Sequence, residues 1–257
     1  MDVAAGTAGK GATAVRVARH ETHVELTLGA AERGNPLDDA LVTQLIAALD
    51  EAAADPRCRA ALISAEGPHF CRGLDLGRLP PQWLEQATLP PWRAFTRLRE
   101  APLVTVALVD GQATGGGVAL AAACDLVATG RDASFRFTEL LLGLVPGMAF
   151  PFVADRVGPH QAWGMALRAH PVGPDEALRT GLADLAYPAA RDGAREILAM
   201  LRRITPDTVR AAKRLRDDLY PRPAGMAETA CRATAERLRD PDVRARIAGF
   251  RAAGALS

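Results

Sequence analysis

The run Gly115-Gly116-Gly117 is the feature that most constrains what this chain can fold into. It follows a continuously apolar, β-branched segment, residues 103–109, which predicts a strand that is covered on both faces. Residues 118–123 come next and predict a short apolar helix. Glycines at a helix N-terminus leave backbone N–H groups free and let a ligand approach the backbone closely. A glycine run is also typical of a tight packing turn, so the motif alone leaves both interpretations open.

The glycine-rich turn, residues 110–117, does not match the common nucleotide-binding loops. It lacks the GxxxxGK(S/T) pattern of a phosphate-binding P-loop. It also lacks the downstream acidic residue and the βαβ setting of a dinucleotide site. The remaining functional interpretation is an oxyanion hole, in which one N–H from this turn and one from a second loop hold a single oxygen.

Short strands alternate with helices up to about residue 190, and helices alone follow. This order predicts an α/β fold with an α-helical appendage. A hairpin is expected over residues 14–19 and 23–28, and Asp38 is expected to cap a helix that ends at Asp55-Pro56. Further helices are predicted at residues 148–157, 159–168, 174–180, 190–203, 206–219, 224–239 and 241–251. The predicted divisions are a disordered lead (1–12), a core (13–190) and a helical C-terminal region (191–257).

Composition excludes several classes of protein. The 31 basic residues nearly balance the 30 acidic ones, which argues against a nucleic-acid binder that relies on charge. No apolar run reaches the roughly 18–20 residues that span a bilayer, so no membrane partner is expected. The four cysteines are widely spaced, without a CxxC or a Cys/His cluster, and predict reduced thiols in a cytoplasmic protein. The first residues lack the apolar stretch of a secretory signal.

Five segments together resemble the crotonase (enoyl-CoA hydratase/isomerase) superfamily. Residues 70–76 read F-C-R-G-L-D-L and resemble that family's F-(C/S)-x-G-x-D-(L/F) segment. Residues 110–126 resemble its G-x-x-x-G-G-G…D-(I/L) segment, and residues 134–147 resemble its F-x-x-(P/S)-E-x-x-x-G-(L/I)-x-P stretch. The other two are Asn35-Pro36-Leu37 and the G-L-A-D of residues 181–184. Each motif alone is weak, but five in the same order over residues 13–215 are a specific signal.

The resemblance implies a spiral of ββα turns, a C-terminal trimerisation region and a homotrimer or hexamer. It implies that the ligand is an acyl thioester of CoA or of an acyl carrier protein, with no metal and no redox cofactor. By the same resemblance, the backbone N–H groups of Leu74 and Gly116 form the oxyanion hole. The residues that it places around the substrate are Arg72, Gly73, Gly115, Gly117 and Leu144.

The carboxylates depart from the pattern of fatty-acid hydratases, which carry two catalytic glutamates. The first position is Ala119 here, and the second is Glu139. A single carboxylate suits proton shuttling beside an enolate, or an elimination in which one group both takes and returns the proton. Glu139 is therefore the predicted catalytic base, although a glutamate at a helix N-terminus is also favoured by the helix dipole. Asp75 is a candidate second acid, or a loop cap that accepts backbone N–H groups.

Residues 139–146 and 149–158, with the FCRGLDL segment, most resemble the stand-alone dehydratases of polyketide β-branching cassettes. That subgroup dehydrates 3-hydroxy-3-methylglutaryl-acyl carrier protein to the 3-methylglutaconyl thioester. Two alternatives remain. One is a Δ3,Δ2-enoyl-CoA isomerase or hydratase of fatty-acid metabolism, and the other is a non-catalytic partner subunit with the same fold.

Two further groups of residues have competing interpretations. Trp83, Trp92 and Phe95 lie in a segment that covers the acyl pocket in this family, but ordinary helix packing explains them equally well. A set of arginines is expected to form a solvated helix face, or alternatively to contact phosphates or an acidic carrier protein. These are Arg202, Arg203, Arg210, Arg214 and Arg216.

Overall fold

A computed structural model describes residues 13–253 of the chain, and the predicted lead at 1–12 lies outside them. The described residues form nine strands and ten α-helices. The strands are β1 (Val15–Arg19), β2 (His23–Leu28), β3 (Ala60–Ala65), β4 (His69–Cys71), β5 (Val104–Val109), β6 (Gln112–Thr114), β7 (Leu126–Thr129), β8 (Ser134–Arg136) and β9 (Leu185–Ala186). The helices are α1 (Asp39–Ala54), α2 (Pro90–Glu100), α3 (Gly116–Ala122), α4 (Phe150–Val157), α5 (Pro159–Arg168), α6 (Pro174–Thr180), α7 (Ala194–Leu201), α8 (Pro206–Leu219), α9 (Met226–Arg239) and α10 (Pro241–Ala252).

The strands form two sheets, and from β3 onward successive strands belong alternately to one sheet and to the other. The larger has the order β1-β2-β3-β5-β7-β9, and the smaller has the order β4-β6-β8. Only the β1–β2 pair is antiparallel. The chain passes from a strand of the large sheet to one of the small sheet and then into a helix, three times in succession. This repeat is the predicted spiral of ββα turns, and the α-helical C-terminal region follows it.

Strand β5 is buried along its whole length, as its continuously apolar sequence predicts. Its side chains alternate between two cores because successive residues of a strand point to opposite faces. Ala107 and Val109 belong to the main core between the sheets and the helices. Val106 and Leu108 belong to a second core, together with residues of α7 and α8. The strand is thus covered on both faces, and the glycine turn follows at its carboxyl end.

The predicted N-terminal elements are confirmed. The β1–β2 hairpin forms, and the Asp38 carboxylate caps α1 by accepting from Leu41 N at 2.9 Å. The predicted helix at 190–203 divides into a short 3₁₀ turn, Ala190–Gly193, and α7. The prediction of one α-helix over this segment was therefore wrong: the first turn is 3₁₀, Gly193 lies so close to the Tyr187 ring that a Cβ would clash with it, and α7 ends at Leu201.

The C-terminal helices pack against the spiral at two places. Lys213 of α8 is 8% exposed, and its Nζ lies 2.6 Å from an oxygen of Asp125. The same ammonium donates to Leu103 O at 3.0 Å, at the start of β5. Helix α9 crosses Gly147 so closely that a Cβ there would lie 2.4 Å from Ala230 O. Among residues 13–253, none of the helices combines the length and apolar character that a membrane span needs.

Candidate active site

The three glycines of the run meet separate steric demands. Gly115 has φ +54°, a conformation that side-chain-bearing residues rarely adopt, and its N–H donates to Arg136 O at 2.9 Å. A Cβ on Gly117 would lie 2.0 Å from Cys71 O. The glycine turn therefore lies directly on the loop that begins with β4. The packing interpretation of the run therefore holds, and the tight packing brings the two loops of the predicted oxyanion hole together.

The two predicted oxyanion-hole segments are adjacent. Gly73 has φ +77°, and a Cβ built there would lie 2.9 Å from Gly116 N. Within residues 13–253, neither Leu74 N–H nor Gly116 N–H donates to another backbone group. Both N–H groups therefore remain available to an oxygen of a ligand, as an oxyanion hole requires.

Glu139 lies beside this pair of N–H groups. It follows β8, and its Oε2 accepts from Thr138 N at 2.9 Å. Its Oε1 lies 3.1 Å from the position that a Cβ on Gly115 would occupy. Burial raises the pKa of Glu139 to about 7, because removal from water disfavours the charged carboxylate. A group with this pKa can both take and return a proton near neutrality.

A small, mostly apolar cavity of about 60 Å³ unites these groups. Its lining includes the predicted residues Arg72, Gly73, Leu74, Gly115, Gly116, Glu139 and Leu144. Gly117 does not line it, and lies instead against Cys71 O. Sequence reasoning missed Met148 and Thr234, which also line the cavity. Thr234 comes from α9, far along the chain, and no local pattern indicates which face of that helix meets the site.

The positions of Ala119 and Asp75 show whether a second carboxylate accompanies Glu139 in this cavity. Ala119 is fully buried in α3, so the position of a second hydratase glutamate is occupied by a methyl group. Asp75 does not line the cavity that contains Glu139. Its Oδ1 accepts from Gly77 N at 3.1 Å, which is the loop-capping role. Glu139 is consequently the carboxylate that lines the small cavity.

A second and larger cavity, of about 410 Å³, adjoins the first and shares Arg72 with it. Four arginines line it, and Asp75 is its acidic residue. The arginines are Arg33, Arg72, Arg136 and Arg251. The sequence predicted only Arg72 as a site residue. The other three could not be predicted with it, because the four arginines come from separate segments that only the fold brings together. The excess of positive charge suits a phosphate or carboxylate.

Other candidate residues lie outside the small cavity. Trp83 donates from Nε1 to Asp39 Oδ1 at 2.8 Å, and Trp92 and Phe95 both contact Phe152 edge-to-face. All three aromatic residues thus pack within the core. Burial raises the pKa of the Cys71 thiol to about 12, which keeps it protonated and excludes an activated nucleophile there.

The five arginines predicted to form a face of the C-terminal helices differ in their exposure to solvent. Arg202, Arg203, Arg210 and Arg214 are exposed, as a solvated face requires. Arg216 is half-buried and pairs with Asp217 at 2.9 Å. None of these five arginines lines the two cavities next to Glu139.

Comparison with known proteins agrees with this architecture. Residues 19–239 match the enoyl-CoA hydratase/isomerase family. The chain belongs to this family. It is 31% identical over 202 residues to 2,3-dehydroadipyl-CoA hydratase of Escherichia coli, covering 77% of this chain and 79% of that one. It is also 28% identical over 227 residues to the bacillaene synthase dehydratase PksH of Bacillus subtilis, covering 84% and 85%.

The solved structures show the same fold. The PksH crystal structure from Bacillus subtilis superposes with a TM-score of 0.80 at 23% identity, over 90% of this chain and 94% of that one. An enoyl-CoA hydratase from Mycobacterium avium superposes with a TM-score of 0.79 at 24% identity, over 92% and 95%. The crotonase fold expected from the motifs is confirmed, and the similarity to PksH agrees with the expected resemblance to polyketide dehydratases. The chain belongs to a family of hydratases and dehydratases that act on acyl thioesters.

Proposed function

We propose that this member of the family dehydrates a 3-hydroxyacyl thioester, with 3-hydroxy-3-methylglutaryl-acyl carrier protein as substrate and the 3-methylglutaconyl thioester as product. The observation that carries the proposal is a single buried carboxylate, Glu139, beside two free backbone N–H groups. The similarity to PksH, a bacillaene synthase dehydratase, supports a polyketide substrate.

In the proposed mechanism, the thioester oxygen accepts from the N–H groups of Leu74 and Gly116. The ionised Glu139 removes the α-proton, and the electron pair of that C–H bond forms an enolate whose negative oxygen the two N–H groups stabilise. Collapse of the enolate forms the Cα–Cβ double bond and breaks the bond to the β-hydroxyl. Glu139 returns its proton to this leaving group, which departs as water. Glu139 is ionised again at the end, so one carboxylate completes the cycle.

The larger cavity, which is lined by Arg72 and three further arginines, supports a thioester substrate that carries anionic groups. Phosphopantetheine contributes a phosphate, and CoA contributes a pyrophosphate and a further phosphate. The guanidinium groups of Arg33, Arg136 and Arg251 are suited to such oxygens. We further propose a cytoplasmic enzyme that works as a homotrimer or hexamer and needs no metal or redox cofactor for this reaction.

The proposal is tested by intact-protein mass spectrometry of 3-hydroxy-3-methylglutaryl-loaded carrier protein after incubation with the chain. Wild type should remove one water, while Glu139→Gln should be slower by about 10²–10⁴-fold, the range for loss of a general acid–base group. Full activity of Glu139→Gln would contradict the role of that carboxylate. The same assay with 3-hydroxy-3-methylglutaryl-CoA distinguishes carrier protein from CoA as the thioester carrier.

A second candidate function is Δ3,Δ2-enoyl-CoA isomerisation, which the same observation favours because one shuttling carboxylate with a pKa of about 7 suffices. Conversion of a 3-enoyl-CoA without any loss of water from the hydroxymethylglutaryl substrate would establish the isomerase. Binding of both thioesters without turnover of either would instead establish the non-catalytic partner subunit.

A further inference from the structure

The turn of the β1–β2 hairpin carries three metal-ligating side chains on one face. His20 N donates to His23 O at 2.9 Å and closes a two-residue turn. Residues that flank such a turn oppose each other across the hairpin and point to the same face. Glu25 follows His23 by two positions and shares that face, because side chains alternate along a strand. The pattern H-x-x-H-x-E therefore brings its three ligands together by local geometry alone.

The three side chains converge at distances close to those of a metal site. Glu25 Oε1 lies 3.5 Å from His20 Nε2 and 3.7 Å from His23 Nε2. The ligand atoms of the three side chains all lie within 4.8 Å of one another. In a tetrahedral zinc site with bonds of about 2.0–2.1 Å, ligand atoms lie about 3.3 Å apart. Because a metal ion lies in the plane of each imidazole that binds it, at least one of these two stacked rings must turn out of the stack when the ion binds.

The stacking of the two imidazoles argues against a simple ion pair with Glu25. Their ring centroids are 4.2 Å apart and their planes differ by 3°, so two protonated rings would repel each other. The neutral ring is the form that binds metal ions.

The surroundings leave room for an ion. Ala18 lies opposite Glu25 on β1, and Ala60 lies opposite His23 on β3, so small side chains border the group on both sides. In the part of the chain that the structure describes, the Glu25 carboxylate pairs with His20 and His23. Within residues 13–253, no lysine or arginine forms an ion pair with the Glu25 carboxylate.

We propose that His20, His23 and Glu25 form a binding site for a divalent metal ion of the zinc type. Two imidazoles and one carboxylate suit zinc, copper or nickel, whereas magnesium and calcium prefer oxygen ligands alone. Three protein ligands leave a coordination position for water. None of these three residues lines either of the two cavities next to Glu139. The metal site is therefore separate from the acyl-thioester site.

The test is isothermal titration of the full chain with zinc, in metal-free buffer and without a polyhistidine tag. Wild type should bind one equivalent saturably. His20→Ala, His23→Ala and Glu25→Gln should each weaken binding by at least about tenfold. The matched control is His160→Ala, which removes an exposed histidine elsewhere on the surface and should leave zinc affinity unchanged.

Cobalt substitution provides a second readout, since tetrahedral cobalt absorbs visible light more strongly than hexahydrated cobalt. The absorption should appear with wild type and be absent with His23→Ala. Circular dichroism of each variant shows whether it folds, and dehydration by folded variants should equal that of wild type. The proposal is overturned if no saturable binding occurs up to about 1 mM zinc. It is equally overturned if folded His20→Ala and His23→Ala bind as tightly as His160→Ala, which would indicate adventitious surface binding.

Discussion

At the scale of single residues, Glu139 links the proposed catalysis to pH. Its carboxylate acts as a base only when ionised, and burial raises its pKa to about 7. We therefore expect the rate of dehydration at low substrate concentration to rise with pH and to level off above about pH 7. A stopped assay of carrier-protein dehydration between pH 5.5 and 8.5 measures the profile. A rate independent of pH across this range would contradict Glu139 as the base.

The same raised pKa predicts an effect on stability. The native state binds the Glu139 proton more tightly than the unfolded state does, so this residue lowers stability as pH rises from about 4.5 to about 7. Glu139→Gln removes that ionisation. We expect its free energy of unfolding, relative to wild type, to be higher at pH 8 than at pH 5 by on the order of 2 kcal/mol. Urea denaturation at both pH values measures it, and an equal difference at both would contradict the prediction.

Gly117 shows how strongly one position can constrain the site. A Cβ there would lie 2.0 Å from Cys71 O, so Gly117→Ala must separate the glycine turn from the β4 loop. We expect it to lower the free energy of unfolding by about 3 kcal/mol or more and to abolish activity. The matched control is Gly249→Ala, also within a helix, where a Cβ meets nothing within 4 Å. The free energy of unfolding of that variant, measured by urea denaturation, should be higher than that of wild type by about 0.5–1 kcal/mol.

At the scale of elements, helix α8 depends on a buried charge. The Lys213 ammonium bonds to Asp125 and Leu103 O, and burial lowers the pKa of Lys213. Asp125→Ala leaves this ammonium buried without its partner, and we expect a loss of about 3–5 kcal/mol in the free energy of unfolding. Asp207→Ala, which removes an exposed pair with Arg210 on the same helix, should change it by less than about 1 kcal/mol. Equal effects of the two variants would contradict the anchoring role.

The sequence predicts the elements whose signals are local. The apolar run of β5 and the Asp38 cap need only neighbouring residues to be interpreted, and both predictions are confirmed. Strands β4 and β6 were not predicted because they lie in segments whose glycines and charged residues predict a loop and a turn. Strand β9 was not predicted because two residues are too few to show an alternating pattern. Thr234 and the arginine-lined cavity were missed for another reason: their members meet only through long-range packing.

At the scale of the whole molecule, large apolar side chains are exposed on α8 and at its carboxyl end. Leu215 and Leu219 lie one turn apart and are 58% and 63% exposed, and Tyr220 next to them is 75% exposed. We expect this stripe to be covered by a second copy of the chain in the proposed trimer. Leu219→Asp should shift sedimentation toward the monomer, whereas Arg210→Glu, a charge change on the same helix, should not. A Leu219→Asp protein that sediments as wild type would contradict this assignment of the stripe.

The close crossing of α9 over Gly147 has a consequence for how the protein is made. Thr234 completes a wall of the Glu139 cavity, yet it is synthesised long after Glu139 has left the ribosome. A nascent chain thus exposes its reactive carboxylate and both free N–H groups before the cavity is closed. We expect water to reach the carboxylate during that interval, because the burial that raises its pKa is not yet complete. We therefore expect a chain that ends before α9 to lack one wall of this cavity and to be inactive in the proposed reaction.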